Sequence, residues 1–250
     1  MMNSNMLYFS SINDLMEALD RAPVISGRSS SSEKDGDGGS WCDTASWNEA
    51  HDNMLVGKVY DGLKTDLGKY KTNGHKEQNK RFLSVEGYNV IVPLYLQGIP
   101  TCMVNQKKSI NNKIVNIYYE CSAPWNVDGD ELVKAATNLF KKVIELEQDG
   151  YRVNLFLMEV NPDDDGYCYI IKLKSDRETL NIKKLCFPIV SSSFLRRIGF
   201  RVKERLFKDW IGCGYGRASF SEKLVKQCIQ KLTRTPHYEV WNYEGLKFKV

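Results

Sequence analysis

The sequence predicts an α/β (or α+β) protein in which helices flank a central mixed β-sheet. Residues 113–120 (KIVNIYYE) are largely β-branched and aromatic, which favours a strand. Residues 128–148 place apolar side chains on one face of a helix, and residues 151–160 (YRVNLFLMEV) form the next strand. Because short turns join these elements, the two strands pair in parallel through a right-handed crossover. Turn residues then predict an antiparallel hairpin with residues 167–174, so the sheet is mixed.

The composition is that of a folded domain without a membrane segment. The 250 residues are 42% hydrophobic and 26% charged, which excludes a collagen-like or wholly disordered chain. Crossing a bilayer needs about 20 consecutive apolar residues, and no stretch approaches this. Residues 1–5 lack the basic and apolar regions of a signal peptide, so we expect a cytoplasmic protein with no membrane partner. The seven cysteines include no C-x-x-C pair, which predicts neither a disulfide framework nor a cysteine zinc site.

The first third of the chain changes composition several times, which predicts four segments. Ser11 caps a short helix that ends near Pro23. A Ser/Gly-rich stretch follows, which buries too little apolar surface to order itself, and Thr44 or Ser46 then caps a second helix. The predicted segments are an N-terminal extension (1–25), a flexible linker (26–40), a helical and loop-rich region (41–80) and a globular core (81–250).

The remaining elements of the core follow from local patterns. The apolar run 88–96 is interrupted by Pro93, so it predicts a strand followed by a short helix or turn. Apolar periodicity and capping serines predict two later helices, and a turn at residues 244–245 separates two short final strands. These elements span residues 194–208 and 220–232 (helices) and 238–241 and 246–250 (strands).

The helix predicted over residues 194–208 is strongly basic. It carries six cationic side chains against one acid, Glu204. Four of the cations recur at intervals of 4, 4 and 3, which places them on one helix face: Arg197, Arg201, Arg205 and Lys208. Such a stripe can neutralise phosphates, and arginine forks suit phosphate oxygens. The alternatives are a solvated helix face, or arginines paired with acids elsewhere in this domain or on a protein partner.

Other residues give weaker functional signals. Trp125, after the first strand of the crossover unit, is either an exposed binding aromatic or a buried packing residue. No nucleophile-elbow or cysteine-protease signature accompanies the three histidines, His51, His75 and His237. We therefore expect a protein that is not an enzyme.

The order of these signals resembles an uncharacterised domain family carried mostly by tailed bacteriophages and related prophage or plasmid regions. The matching pieces are SINDLMEAL, SWCDTASWNEA, VEGYNVIVPLYLQGIPTCM, LEQDGYRVNLFLMEV, and FPIVSSSFLRRIGFRVKE followed by GYGRAS. Together they span nearly the whole chain apart from the Ser/Gly stretch. The resemblance implies a phage-type intracellular protein of unknown function.

The core also resembles, more remotely, the beginning of a von Willebrand factor A-type domain. Such domains carry Asp-x-Ser-x-Ser after the first strand, which supplies oxygen ligands to Mg²⁺ at the carboxyl edge of the sheet. The corresponding stretch here is ECSAP, so the resemblance implies Glu120 and Ser122 as two metal ligands. Pro124 offers no side-chain oxygen where the second serine belongs, and the alternative is an ordinary strand end. We expect no cofactor.

These observations together predict a phage-encoded accessory or adaptor protein in the host cytoplasm. It binds a phage or host protein through the edge of its sheet, near residues 120–127, where the carboxyl ends of parallel strands form a crevice. One alternative is a nucleic-acid-binding protein that uses the basic helix of residues 196–208. Another is a structural component of the virion.

Overall fold

The computed structural model describes residues 5–25, 31–33, 42–60, 63, 78–109, 113–124, 126–161, 167–207 and 220–250. The strands are β1 (Met6–Phe9), β2 (Gln78–Ser84), β3 (Asn89–Val90), β4 (Met103–Ser109), β5 (Ile114–Glu120), β6 (Arg152–Asn161), β7 (Tyr167–Lys174), β8 (Glu239–Asn242) and β9 (Gly245–Lys249). The α-helices are α1 (Ile12–Arg21), α2 (Trp47–Val56), α3 (Val92–Leu96), α4 (Gly129–Gln148), α5 (Ile182–Val190), α6 (Phe200–Leu206) and α7 (Glu222–Leu232). A 3₁₀ turn covers Ser31–Glu33, and a π-helix covers Phe194–Gly199.

Six strands form the central sheet, in the order β1-β7-β6-β5-β8-β9. The β5 strand pairs in parallel with both β6 and β8, and β1 pairs in parallel with β7. The β6–β7 and β8–β9 pairs are antiparallel hairpins. The predicted mixed α/β fold is confirmed, and so is the crossover from β5 through α4 to β6.

Helices cover both faces of this sheet. On one face, Leu139, Phe140 and Val143 of α4 pack into the larger core, to which α1, α2 and α5 also contribute. On the other face, α7 packs against a smaller cluster in which the Tyr118 and Phe156 rings stack at 4.6 Å. Burying each large apolar side chain stabilises the fold by about 1.5–3 kcal/mol before entropy is counted. Among the described helices, none is long and apolar enough to cross a membrane.

The N-terminal segment belongs to the core, which corrects the predicted division of the chain. The β1 strand extends the central sheet beside β7, and Leu15 and Leu19 of α1 are fully buried in the larger core. The described residues 5–25 are therefore part of this core and not a tethered extension. Within the predicted linker, Ser32 is buried and its hydroxyl donates a hydrogen bond to the Glu204 carboxylate. Residues 26–30 and 34–40 lie outside the described residues.

Residues 78–109 form a separate three-stranded antiparallel sheet in the order β2-β4-β3. Pro93 lies in the first turn of α3, where its missing N–H costs no helical hydrogen bond. The predicted strand and short helix around this proline are confirmed. Gly87 in the β2–β3 connection lies so close to the Val104 carbonyl that any Cβ there would overlap it. The small sheet therefore depends on glycine at this position.

Candidate functional site

The carboxyl end of β5 holds a buried acid. Glu120 is 2% exposed, and its Oε1 accepts hydrogen bonds from the backbone N–H of Ser122 at 3.2 Å and from the Ser122 hydroxyl. Burial raises the pKa of Glu120 from 4.5 to about 8, and the Glu159 charge adds to this, although the hydrogen bonds from Ser122 oppose it. The carboxyl group is therefore mostly protonated at neutral pH.

A buried ion pair lies on the neighbouring strand, β6. Glu159 pairs with Lys203 of α6, and the Tyr169 hydroxyl donates to Glu159 Oε2 at 2.6 Å. Burial alone would lower the pKa of Lys203, but the adjacent Glu159 carboxylate outweighs burial and raises it. Lys203 Nζ also lies 5.2 Å from the centre of the Tyr167 ring. This pair fixes α6 against the sheet, and removing one partner would leave the other charge buried.

Gly199, the last residue of the π-helix, lets the helix approach the Glu159–Lys203 pair closely. A Cβ at Gly199 would come within 3.0 Å of Glu159 Oε2 and 3.1 Å of the Tyr169 hydroxyl. Both distances are shorter than ordinary van der Waals contact. In place of the single long helix predicted over residues 194–208, the described residues form a π-helix followed by α6, and Gly199 at their junction packs directly on the buried polar groups.

The residues at this edge do not fit a magnesium ion. Ser122 directs its hydroxyl to Glu120, which is itself mostly protonated, and Pro124 contributes no side-chain oxygen. Among the residues that the structure describes, no three His, Cys, Asp or Glu side chains come together as metal ligands. The structure thus brings Glu120 and Ser122 together, as the resemblance implied, but as hydrogen-bond partners.

The predicted basic stripe is turned into the protein. Arg197 is 0% exposed, and it donates from Nε to the Thr44 hydroxyl and from Nη2 to the Thr44 carbonyl, both at 2.9 Å. Arg201 lies 3.8 Å from the centre of the Trp47 ring. Arg201 and Arg205 both pair with Glu33, at 3.2 and 2.5 Å.

The expectation of an arginine face free to bind phosphate is therefore wrong for Arg197 and Arg201, which are buried. The alternative that the arginines pair with acids elsewhere in this domain describes Arg201 and Arg205, which both pair with Glu33. The cause is that three residues from the first fifth of the chain, Glu33, Thr44 and Trp47, pack against these arginines. Lys208, the fourth residue of the stripe, and Trp125 lie outside the described residues.

The sequence analysis missed a polar network that joins Asp43 and Thr44 to the serines after α5. Asp43 accepts hydrogen bonds from the hydroxyls of Ser191, Ser193 and Tyr60, and those from Ser191 and Tyr60 measure 2.5 and 2.7 Å. Burial raises the pKa of Asp43, but these hydrogen bonds outweigh burial and lower it. Thr44 donates to Ser193 at 2.9 Å, which links Arg197 to the Asp43 carboxylate. The signal was present: three consecutive serines follow the buried apolar run of α5.

The most unusual exposed feature lies on the small sheet. We define the small-sheet surface as its exposed apolar side chains: Phe82, Leu83, Val85, Tyr88, Val90, Val92, Tyr95, Leu96 and Ile99. Leu96 is 78% exposed and Tyr95 is 65% exposed. Phe82 and Leu83 are adjacent on β2 and both exposed, although successive strand residues point to opposite faces, so neither face of the strand is covered at these two residues.

Exposed apolar groups gathered in this way usually mark interaction sites. The sequence showed the apolar run but could not show that it stays exposed, because a buried strand has the same composition. The site that the structure adds is thus the small-sheet surface, and the polar clusters of the central sheet are mostly internal.

Comparison with known proteins assigns the chain to a family of unknown function. A family model described as a domain of unknown function (DUF7192) matches residues 3–239. The match extends from the segment containing β1 to the first residue of β8, so it includes β1–β7 but not β9. No curated protein and no solved structure matches the chain.

Proposed function

Since the chain belongs to the family described as a domain of unknown function (DUF7192), we propose its role from its own surface: it is a non-enzymatic accessory or adaptor protein that binds a phage or host protein. The observation that carries this proposal is the small-sheet surface. Each exposed apolar side chain costs free energy that a partner recovers by covering it, at about 25 cal/mol for each Å² buried.

The composition of this surface suits a protein partner. Tyr88 and Tyr95 offer large, rigid side chains of the kind that dominate binding energy at protein interfaces. Exposed aliphatic side chains such as Leu96 belong to the same small-sheet surface and add apolar area that a partner can bury. Among the described strands, none of the small sheet pairs with the central sheet, so a partner can cover the small sheet without breaking a strand pair of the central sheet.

The proposal includes a phage origin, with the host cytoplasm as location, or the virion if the protein is a structural component. The resemblance of the sequence to a phage domain family supports the origin. The crossover from β5 to β6 followed by an antiparallel β7 supports a core similar to von Willebrand factor A-type domains. Nucleic-acid binding through the basic helix is less favoured because Arg197 and Arg201 are buried.

The test is affinity capture of the tagged full chain from phage-infected cells, with and without nuclease, followed by mass spectrometry. The small-sheet variant is Tyr95→Ser with Leu96→Ser. The matched control is Val24→Ser with Val56→Ser, because these two valines are also exposed but lie outside the small sheet.

A protein that wild type and control retain after nuclease, and that the small-sheet variant loses, would support the proposal. Equal recovery by all three forms would contradict it. Recovery that disappears with nuclease would favour nucleic acid.

A further inference from the structure

We infer that the partner adds an extended segment to the free edge of β2, as a fourth strand of the small sheet. This inference rests on the proposed function and adds the way in which the partner binds. The β2 strand comes first in the order β2-β4-β3, and none of the described strands pairs with its other side. Its seven residues pair with β4 in one continuous register, so the edge is unbroken.

The register shows which backbone groups of β2 face away from β4. Directly opposed residues of an antiparallel pair alternate between hydrogen-bonded and non-bonded pairs. The Val104 carbonyl of β4 accepts its hydrogen bond from the β3 side, so Leu83, which lies opposite Val104, belongs to a non-bonded pair. The N–H and C=O groups of Leu83 therefore point to the free edge, and so do those of Arg81, two residues earlier.

Exposed apolar side chains flank this edge on both faces of the small sheet. Phe82 and Leu83 point to opposite faces, and both are exposed. An extended segment beside β2 places its own side chains next to Phe82 on one face and next to Leu83 on the other. A helix would cover one face and leave the backbone groups of Arg81 and Leu83 unpaired. The arrangement therefore fits a segment in strand conformation with apolar side chains on both faces.

The other described sheet edges are protected in ways that β2 is not. Proteins protect an edge with short strands, bulges and lysines. The β1 strand has four residues and β3 has two. In β9, the register with β8 shifts at Trp241, and Lys247 and Lys249 carry charges. The first half of β2 is charged at Lys80 and Arg81, but its last three residues, 82–84, are uncharged and in regular register.

The experiment uses two fluorescein-labelled peptides, Ser-Val-Thr-Val-Val-Thr-Val-Ser and its twin Ser-Val-Thr-Pro-Pro-Thr-Val-Ser. The twin stays apolar, but its adjacent prolines remove one N–H from each edge of an extended segment. Fluorescence anisotropy measures the binding of both peptides to the full chain. We expect the valine peptide to bind at least tenfold more tightly than the twin, because only the valine peptide can complete the hydrogen bonds to β2.

The matched variants are Leu83→Pro and Leu83→Ala. Both lose the leucine side chain, but only Leu83→Pro loses the N–H that faces the free edge. Proline is tolerated at such edge positions because this N–H makes no bond within the sheet. Leu83→Pro should bind the valine peptide at least tenfold more weakly than Leu83→Ala. Thermal unfolding of both variants checks that they fold, and the two peptides on wild type decide the matter if Leu83→Pro does not.

Equal binding of the two peptides, or of the two folded variants, would mean that apolar contact alone decides, and it would overturn the inference. The inference also fails if neither peptide binds. Concentration-dependent self-association that Leu83→Pro abolishes would instead assign this edge to a second copy of the chain. The capture experiment keeps the proposed function separate: a protein that Leu83→Pro retains but Tyr95→Ser with Leu96→Ser loses would support that function and contradict strand addition.

Discussion

Replacing Glu120 by Gln should make the protein less sensitive to alkaline pH. In the folded state, burial holds the pKa of this carboxyl at about 8, against an ordinary value of 4.5. At a pH between these two values, the Glu120 carboxyl is ionised in the unfolded chain but stays protonated in the folded protein. A raised acid pKa therefore contributes stability that is fully present below pH 4.5 and is lost as the pH rises towards 8.

The size of this effect on the free energy of unfolding follows from the difference between the two pKa values of Glu120. One pKa unit corresponds to about 1.4 kcal/mol, so the difference between 4.5 and about 8 is worth about 5 kcal/mol over the whole range. Glutamine has the shape of the protonated acid and does not titrate. The free energy of unfolding of Glu120→Gln should therefore exceed that of wild type by an amount that grows by about 1.4 kcal/mol for each pH unit between pH 5 and 7.

Urea unfolding followed by circular dichroism at pH 5, 6, 7 and 8 measures this difference. The control is Glu145→Gln, at an exposed position of α4. Its free energy of unfolding should change with pH in parallel with that of wild type. If the Glu120→Gln curve is also parallel to wild type, the carboxyl is not buried and protonated as described, and the reasoning is refuted.

Three further predictions test other contacts of the structure. Lys203→Met should lower the free energy of unfolding by about 3–5 kcal/mol, because it leaves the buried Glu159 without its cationic partner. Adding Glu159→Gln should recover most of that loss. A Lys203→Met variant as stable as wild type would contradict this prediction. Arg197→Glu should lower the melting temperature by many degrees, since it places a carboxylate against the Thr44 carbonyl; an unchanged melting temperature would mean that the arginine is on the surface. Gly87→Ala should abolish partner capture while the central sheet unfolds as in wild type, and retained capture would show that the small sheet tolerates a Cβ there.

The part of the fold that the sequence could predict is the part with local signals. The β5–α4–β6 crossover follows from apolar periodicity that changes from strand to helix and back, with Gly150 ending the helix in a positive-φ conformation. The final helix and hairpin follow for the same reason. In each case, neighbouring residues carry the whole signal.

The missed features depend on contacts between distant residues. Arg197 shows the same helical spacing whether it faces solvent or Thr44, which lies 153 positions earlier. The short β1 strand joins the sheet only because β7 presents a free edge, which the sequence of residues 6–9 does not reveal. In the same way, Leu96 belongs to an apolar run whose composition is typical of a buried core, and only the three-dimensional packing shows that this side chain is exposed.

The central claim is that the small-sheet surface binds a protein, and paired capture after nuclease treatment tests it most directly. Our account predicts that wild type and the Val24→Ser, Val56→Ser control retain the same protein, and that Tyr95→Ser with Leu96→Ser loses it while folding normally. Retention of that protein by the small-sheet variant would contradict the account.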